Sequence, residues 1–201
     1  MIKKSQKQTW ENIADEWHEF KTKPAEHVLE FLKDKKGKIL DLGSGSGRHL
    51  VKVKGTLYLV DFSEKMIKLA EKRAKERKID AEFFVVDITK KKLPIEDNFF
   101  DSAIAIAFFH CINPSNHEKA IKELFRVLKP KAEVEIAVWN KDSRRFEKSP
   151  KEIQVKWRDK GSRYYYLFDE KEIHDLFKKA GFKIKKRYEP ERNIIFIAQK
   201  P

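Results

Sequence analysis

Three aspartates stand at or beside the ends of short apolar runs: Asp41 in KILDLGSGSG, Asp61 in TLYLVD and Asp87 in AEFFVVD. The first is followed by Gly43, Gly45 and Gly47, which gives the pattern D-x-G-x-G-x-G. Glycines so spaced let a ligand approach the backbone, and the N–H groups of the turn face it. A dinucleotide site calls for G-x-G-x-x-G, and the third position counted from Gly43 is Arg48, so that fit is poor. A carboxylate at Asp41 suits an ammonium group, which a dinucleotide lacks. Asp61 is placed to accept both hydroxyls of a ribose, and Asp87 to accept an adenine amino group. One acid at a strand end is ordinary. Three at successive strand C-termini, where open α/β sheets bind ligands, describe a site.

Convergence of these acids needs parallel strands, and the chain has the pattern for them. Lys38–Leu42, Thr56–Val60, Ala81–Val86, Asp101–Ala107 and Glu133–Trp139 read as strands. Helical periodicity fills Ser63–Arg77 and His117–Leu128, and the glycine turn is expected to lead into a helix of its own. Two further helical patterns, 6–20 and 25–34, precede the first strand. Strand and helix in alternation predict an α/β fold with a mostly parallel sheet and helices on both faces. Asp169 and Glu172 form a capping-box-like pair, so a last helix is expected over 170–180, stopping at Gly181. FKIKKRY and NIIFIAQ, joined by EPER, then make a C-terminal antiparallel hairpin.

A chain of 201 residues is read as a single domain, 1–201, with an N-terminal helical cap over 1–36. Residues 140–168 form a basic aromatic insertion of little periodicity, holding nine Lys or Arg against four Asp or Glu. Segments of this kind in compact domains are usually functional or disordered, and a disordered one seldom holds so many aromatics. In its last part, RYYYLF, extended alternation puts Tyr164, Tyr166 and Phe168 on one face and Tyr165 and Leu167 on the other. The net charge of +13 calls for an anionic partner, with nucleic acid first. Abundant Lys and Glu with few Cys and Met is also a hyperthermophile composition. Cys111 stands alone, which excludes an internal disulfide and fits a reducing cytoplasm. The histidines lack metal-ligand spacing, and neither a membrane-spanning run nor a signal-peptide pattern is present, so no membrane partner is expected.

The three acids with the glycine turn resemble the class I S-adenosylmethionine-dependent methyltransferases, and the terminal hairpin matches the seven-stranded Rossmann-like sheet of that family. The resemblance implies S-adenosylmethionine as cofactor. Gly43, Ser44 and Gly45 would line its methionine part, Asp61 with Phe62 the ribose, and Asp87 with Ile88 the adenine, with Met66 and Ala107 close by. WENIADEWHEFKTKPAEHVLEFL, FFHCINPSNHEKAIKELFRVLKP and VKWRDKGSRYYYLFDEKEIHDLFKKAGF resemble segments of the tRNA wobble-uridine methyltransferases that esterify 5-carboxymethyluridine. This subfamily resemblance implies a tRNA substrate and a small zinc-binding activator subunit, for which Phe83, Phe99 and Phe100 are the candidate docking residues. Lys21 and Lys23 stand where that family commonly has an arginine before Lys-Pro, and Ala25-Glu26 replaces a Trp-Pro.

A carboxylate acceptor is already anionic at neutral pH and needs holding, for which Lys21, Lys23, His110 and Arg163 are the candidates. A neutral nitrogen or hydroxyl acceptor would make His110 the general base. Trp157, Tyr164 and Tyr165 are expected to meet the substrate, since aromatic faces stack on splayed bases. The alternatives are a small-molecule methyltransferase and a non-catalytic cofactor-binding subunit of an RNA-modification complex.

Overall fold

The computed structural model describes residues 5–201. Five parallel strands, β1 (Lys36–Leu42), β2 (Lys54–Asp61), β3 (Ala81–Val85), β4 (Phe100–Ile106) and β5 (Leu128–Trp139), make most of a seven-stranded sheet. Its order is β3-β2-β1-β4-β5-β9-β8, where β8 (Lys183–Arg187) and β9 (Asn193–Gln199) are the expected antiparallel hairpin. The helices are α1 (Gln6–Phe20), α2 (Glu26–Leu32), α3 (Glu64–Arg77), α4 (His117–Val127) and α5 (Glu170–Lys179). None is long and apolar enough to cross a membrane.

Sheet and helices bury two apolar clusters. Leu40, Phe100, Ala103, Val134, Ile136 and Phe196 meet α4 and α5 through Leu124, Ile173 and Phe177. Ile39, Leu57, Leu59 and Ile104 meet α2 and α3 through Val28, Phe31, Leu32, Ala70 and Ala74. Central strands covered on both sides read as unbroken apolar runs, as β1 and β4 do. Helix starts follow their caps. Ser63 Oγ accepts the N–H of Met66 at 3.1 Å, and Asp169 accepts that of Glu172 at 2.9 Å.

Two expectations about local structure are corrected. No helix follows the glycine turn, because only residues 43–53 separate β1 from β2 and they cross in successive turns. A parallel crossover normally takes a dozen or more residues and a helix. Here α2 covers the sheet through Val28, Phe31 and Leu32, while α1 packs on α3 and β7. Nor is the 140–168 segment irregular. It contains a second, two-stranded antiparallel sheet, β6 (Glu152–Trp157) with β7 (Gly161–Tyr166). Its period-two signal is present in EIQVKW, whose residues alternate between exposed and half-buried.

The proposed docking phenylalanines also separate. Phe100 is wholly buried in the core, since it faces inward between Tyr58 and Phe99. Phe99 and Phe83 are half-buried, and Val85 on the edge strand β3 is 44% exposed.

Candidate active site

β1 and β4 lie side by side and parallel, yet the chain leaves them toward opposite edges of the sheet, so a crevice opens beyond their C-terminal ends. A cavity of about 950 Å³ occupies it, walled from Asp87 and Ile88 beyond β3 to Arg192 and Asn193 at β9. Gly43, Ser44, Gly45, Asp61, Phe62, Met66 and Ala107 all line it. Gly43 has φ +75°, and a Cβ there would sit 2.5 Å from the Phe108 ring. Ala107 faces it across the crevice at φ +61°, with its N–H donated to Ala137 at 2.8 Å. At Gly45 (φ +53°) a Cβ would meet only Trp17 Nε1, at 3.9 Å. The glycine turn is pinned by N–H donation from Gly43 and Ser44 to the Val60 carbonyl at 2.8 and 3.0 Å.

Among the described residues, no cation pairs with Asp41 or Asp61. Asp41, a predicted cofactor residue, is 2% exposed and stands behind the cavity wall rather than on it, and burial, reinforced by the nearby Asp61, pushes its carboxyl up to about 7. Burial likewise pushes Asp61 up to about 6, against the N–H groups of Ser63 and Gly45, each donating to its carboxylate at 3.0 Å. At Asp87 burial acts upward too, but hydrogen bonds from Thr89 and Lys90 outweigh it and leave the carboxyl below its ordinary value. Two buried carboxyls raised by desolvation, beside an open Gly45 and the apolar Met66 and Ile88, fit a ligand with a cationic amino-acid end and a nucleoside body. S-adenosylmethionine has that composition.

The cavity also carries cations without acidic partners. Lys21, Arg48 and Arg192 line it. Burial, then Arg48, Arg192 and Arg163, hold the Lys21 ammonium below its usual value. Arg163 is 6% exposed and stands behind the wall, its guanidinium carbon 4.8–5.7 Å from the ring centres of Trp157, Trp17, Tyr165 and Trp10. Its Nε is buried with no hydrogen-bond partner among the described residues.

His110 is 2% exposed, stacked on Trp139 at 5.0 Å and tilted against Tyr165 at 5.4 Å. Its Nδ1 accepts the Trp139 N–H at 3.0 Å, so in the neutral ring Nε2 carries the proton. Burial pushes the imidazole down to about 3. A neutral ring with its only acceptor nitrogen occupied is a hydrogen-bond donor and a poor base. Cys111, adjacent, gives its thiol to the Ala107 carbonyl at 3.2 Å, and burial pushes it up, so it is no nucleophile.

Of the remaining expected residues, Tyr164 and Tyr165 line the cavity, Tyr165 at 2% exposure. Lys23 and Trp157 are outside its wall. Lys23 is exposed, and only its carbonyl is engaged, by Arg48 Nε at 2.6 Å. Trp157 is turned toward α1, where Nε1 donates to Glu16 at 2.6 Å and the ring packs on Trp17 and Phe20. Sequence reasoning missed His27, Arg48, His49 and Arg192. Arg192 lies in EPER, where the turn residues drew the attention, and Arg48 hides in the supposed helix. Glu135 was missed as well. It is fully buried on β5, where burial raises its carboxyl, with His27 Nδ1 at 3.3 Å. A glutamate within an otherwise apolar strand was the available signal.

Residues 39–131 match the family model described as "Methyltransferase domain". Among curated proteins, the chain is 31% identical to "Probable tRNA methyltransferase 9B" of Mus musculus over 74% of its own length and 32% of that protein's. The chain carries an S-adenosylmethionine-dependent methyltransferase domain. It is also 30% identical to the "Ubiquinone/menaquinone biosynthesis C-methyltransferase UbiE" of Photorhabdus laumondii, over 72% of this chain and 66% of that one. Thus the methyltransferase domain spans between a third and two thirds of these relatives. Among solved structures, a SAM-dependent methyltransferase from Aquifex aeolicus aligns with TM-score 0.66 at 25% identity, covering 88% of this chain and 89% of that one. A chain of the complex of the Haloferax volcanii Trm112 methyltransferase activator with a methyltransferase aligns with TM-score 0.72 at 21% identity, covering 94% of each chain, and shares the fold.

Proposed function

We propose that this methyltransferase acts on an anionic acceptor in tRNA, the carboxymethyl group of a modified wobble uridine. The observation that carries the reading is the cationic cluster of Lys21, Arg48 and Arg192 on the cavity wall, backed by Arg163 and without an acid to neutralise it. Lys21 and Arg48 are half-buried and Arg192 is exposed, and like charges gathered beside the buried Arg163 repel one another until a ligand supplies the counter-charge. The tRNA methyltransferase relative and the net charge of +13 support nucleic acid as the carrier of that charge. The ubiquinone/menaquinone C-methyltransferase relative makes a small-molecule quinone the rival reading, and a carbon acceptor would have no use for the cluster.

When bound, S-adenosylmethionine supplies an electrophilic methyl group on a sulfonium centre. Asp61 would accept its ribose hydroxyls and Asp87 its adenine amino group, Gly45 would leave room for the chain between them, and Asp41 would act on the ammonium from behind the wall. Lys21 and Arg192 hold the acceptor carboxylate, and His110 Nε2–H donates to one of its oxygens. The other oxygen stays free to attack. No proton has to move, which agrees with the occupied Nδ1. Alignment then supplies much of the catalysis. The solved Trm112 complex supports an activator partner for this chain, with the β3 edge around Val85 and Phe83 as its docking place.

The test is product identity. The protein is incubated with labelled S-adenosylmethionine and tRNA, with and without the activator, and the nucleosides are analysed by mass spectrometry. A base-labile methyl ester at the wobble uridine is expected. Label on a base nitrogen or carbon sinks the carboxylate reading, and label only on a quinone precursor sinks the tRNA reading.

A further inference from the structure

Beside the main cavity lies a smaller hollow of about 400 Å³ walled by Asn140, Asp142, Ser143, Arg144, Arg145, Pro190, Glu191 and Arg192. Arg192 lines both cavities, so they share a wall. Two separate stretches of chain, the turn after β5 and the β8–β9 turn, make this hollow, and one side chain joins them. Asn140 donates its amide NH₂ to the Glu191 carbonyl at 2.9 Å and its backbone N–H to the Arg192 carbonyl at 3.1 Å. Its Oδ1 accepts the Asp142 N–H at 3.0 Å, and its carbonyl accepts Ser143 Oγ at 2.7 Å. Asn140 is 6% exposed, so this clamp is built into the structure.

The clamp holds like charges together. Burial, then Arg192, hold the Arg145 guanidinium below its ordinary value. Arg145 also stacks its guanidinium carbon 5.3 Å from the Trp139 ring and 5.0 Å from Phe146. A stacked guanidinium keeps its in-plane N–H fork free for an oxyanion. The rim acids Asp142 and Glu191 engage the clamp through their backbones, and neither pairs with an arginine among the described residues. Trp139 has Arg145 and Phe146 against it as well as His110, so the hollow is one ring away from the residue at the acceptor end.

We infer that Arg144 and Arg145, gathered by Asn140 beside the shared Arg192, form a subsite for a backbone phosphodiester next to the nucleotide being methylated. This rests on the tRNA reading above and adds to it a specific anchor outside the reaction cavity. The subsite fixes the register of the strand: with one phosphate on the arginines, the neighbouring base is carried over the Trp139–His110 stack.

The test measures binding of a synthetic anticodon stem-loop RNA by the full chain across a salt series. Each phosphate contact on a single strand contributes about 0.7 to the slope of log K against log salt. The double variant R144A/R145A is expected to lower that slope by about 0.7, with cofactor affinity and melting temperature kept. R145K is expected to restore most of the slope and less of the affinity, because lysine keeps the charge and loses the fork. A double variant with the wild-type slope overturns the subsite and leaves the tRNA reading in place. Wild-type protein that shows no salt-dependent RNA binding overturns both.

Discussion

His110 accepts the backbone N–H of Trp139 at 3.0 Å, and this bond decides what the imidazole can do. With Nδ1 occupied and the ring held neutral by burial, its pKa near 3, Nε2 is left as a donor. The pH–rate profile at saturating cofactor is therefore expected to have no limb that belongs to His110. H110A is expected to lower kcat by about 10²-fold, the scale of one oriented donor lost, without changing the profile's shape. A limb near pH 6–7 that disappears in H110A would restore the general-base role.

Asp41 gives a pH dependence of opposite sense for fold and ligand. Its carboxyl, pushed up to about 7 in the fold, lies near 3.8 when unperturbed. Between those values the folded state binds the extra proton, so stability of the cofactor-free protein rises as pH falls from about 7 toward 4. Cofactor affinity moves the other way, because the ammonium needs the ionised acid, and weakens as pH falls below about 7. D41N is expected to weaken both trends and to leave the part of the melting trend that Asp61, pushed up to about 6, contributes below about pH 6. Thermal melts and calorimetric titrations at several pH values measure them, and an unchanged melting trend in D41N would show that another group carries it.

Gly43 and Gly45 differ by what a methyl group would meet. G43A places Cβ 2.5 Å from Phe108 at φ +75° and is expected to destabilise the fold by about 1–3 kcal/mol. G45A has open space and is expected to cost about 1 kcal/mol, while its Cβ obstructs the cavity and weakens cofactor binding. Denaturant unfolding and cofactor titration separate the two effects. Equal stability losses would mean that the Phe108 contact yields easily.

Glu16 ties α1 to the β6–β7 hairpin, through Trp157 Nε1 at 2.6 Å, Lys160 at 2.6 Å and Arg158 at 3.1 Å. E16A is expected to raise hydrogen exchange over residues 6–20 and to speed cofactor release, leaving the exchange of β1 and β4 unchanged. High salt should reproduce part of this in the wild type, since two of the three contacts are partly exposed ion pairs. Unaltered exchange in α1 would show that Trp10 and Trp17 hold it by packing alone.

The sheet and the cofactor end of the cavity were readable in the chain because they rest on local rules. Apolar runs ending in Asp41, Asp61 and Asp87 announce both the strands and their C-terminal edge. The missing helix after Gly47 was not readable from the glycine motif, which is compatible with several exits. Only the count of residues before β2 excludes the helix. The acceptor end was harder for a different reason. Lys21 and Arg163 were named as candidates from the sequence, but Arg48 and Arg192 come from distant stretches, and a lone basic residue among 45 carries no signal until the fold gathers it. Trp157 and Lys23 show the converse, since side chains of suitable type were drawn away by Glu16 and by solvent.

The contacts between α1 and the second sheet have a consequence for synthesis on the ribosome. Gln6 bonds to Ser162 and Tyr164, and Glu16 to Trp157, so α1 docks on a hairpin made about 150 residues later. Until that hairpin leaves the exit tunnel, Trp10 and Trp17 lack the packing that Trp157 and Arg163 give them. The sheet with its three acids can be assembled earlier, open on the side that α1 will cover. Synthesis order therefore leaves both tryptophans without their hairpin partners until residues 152–166 have emerged.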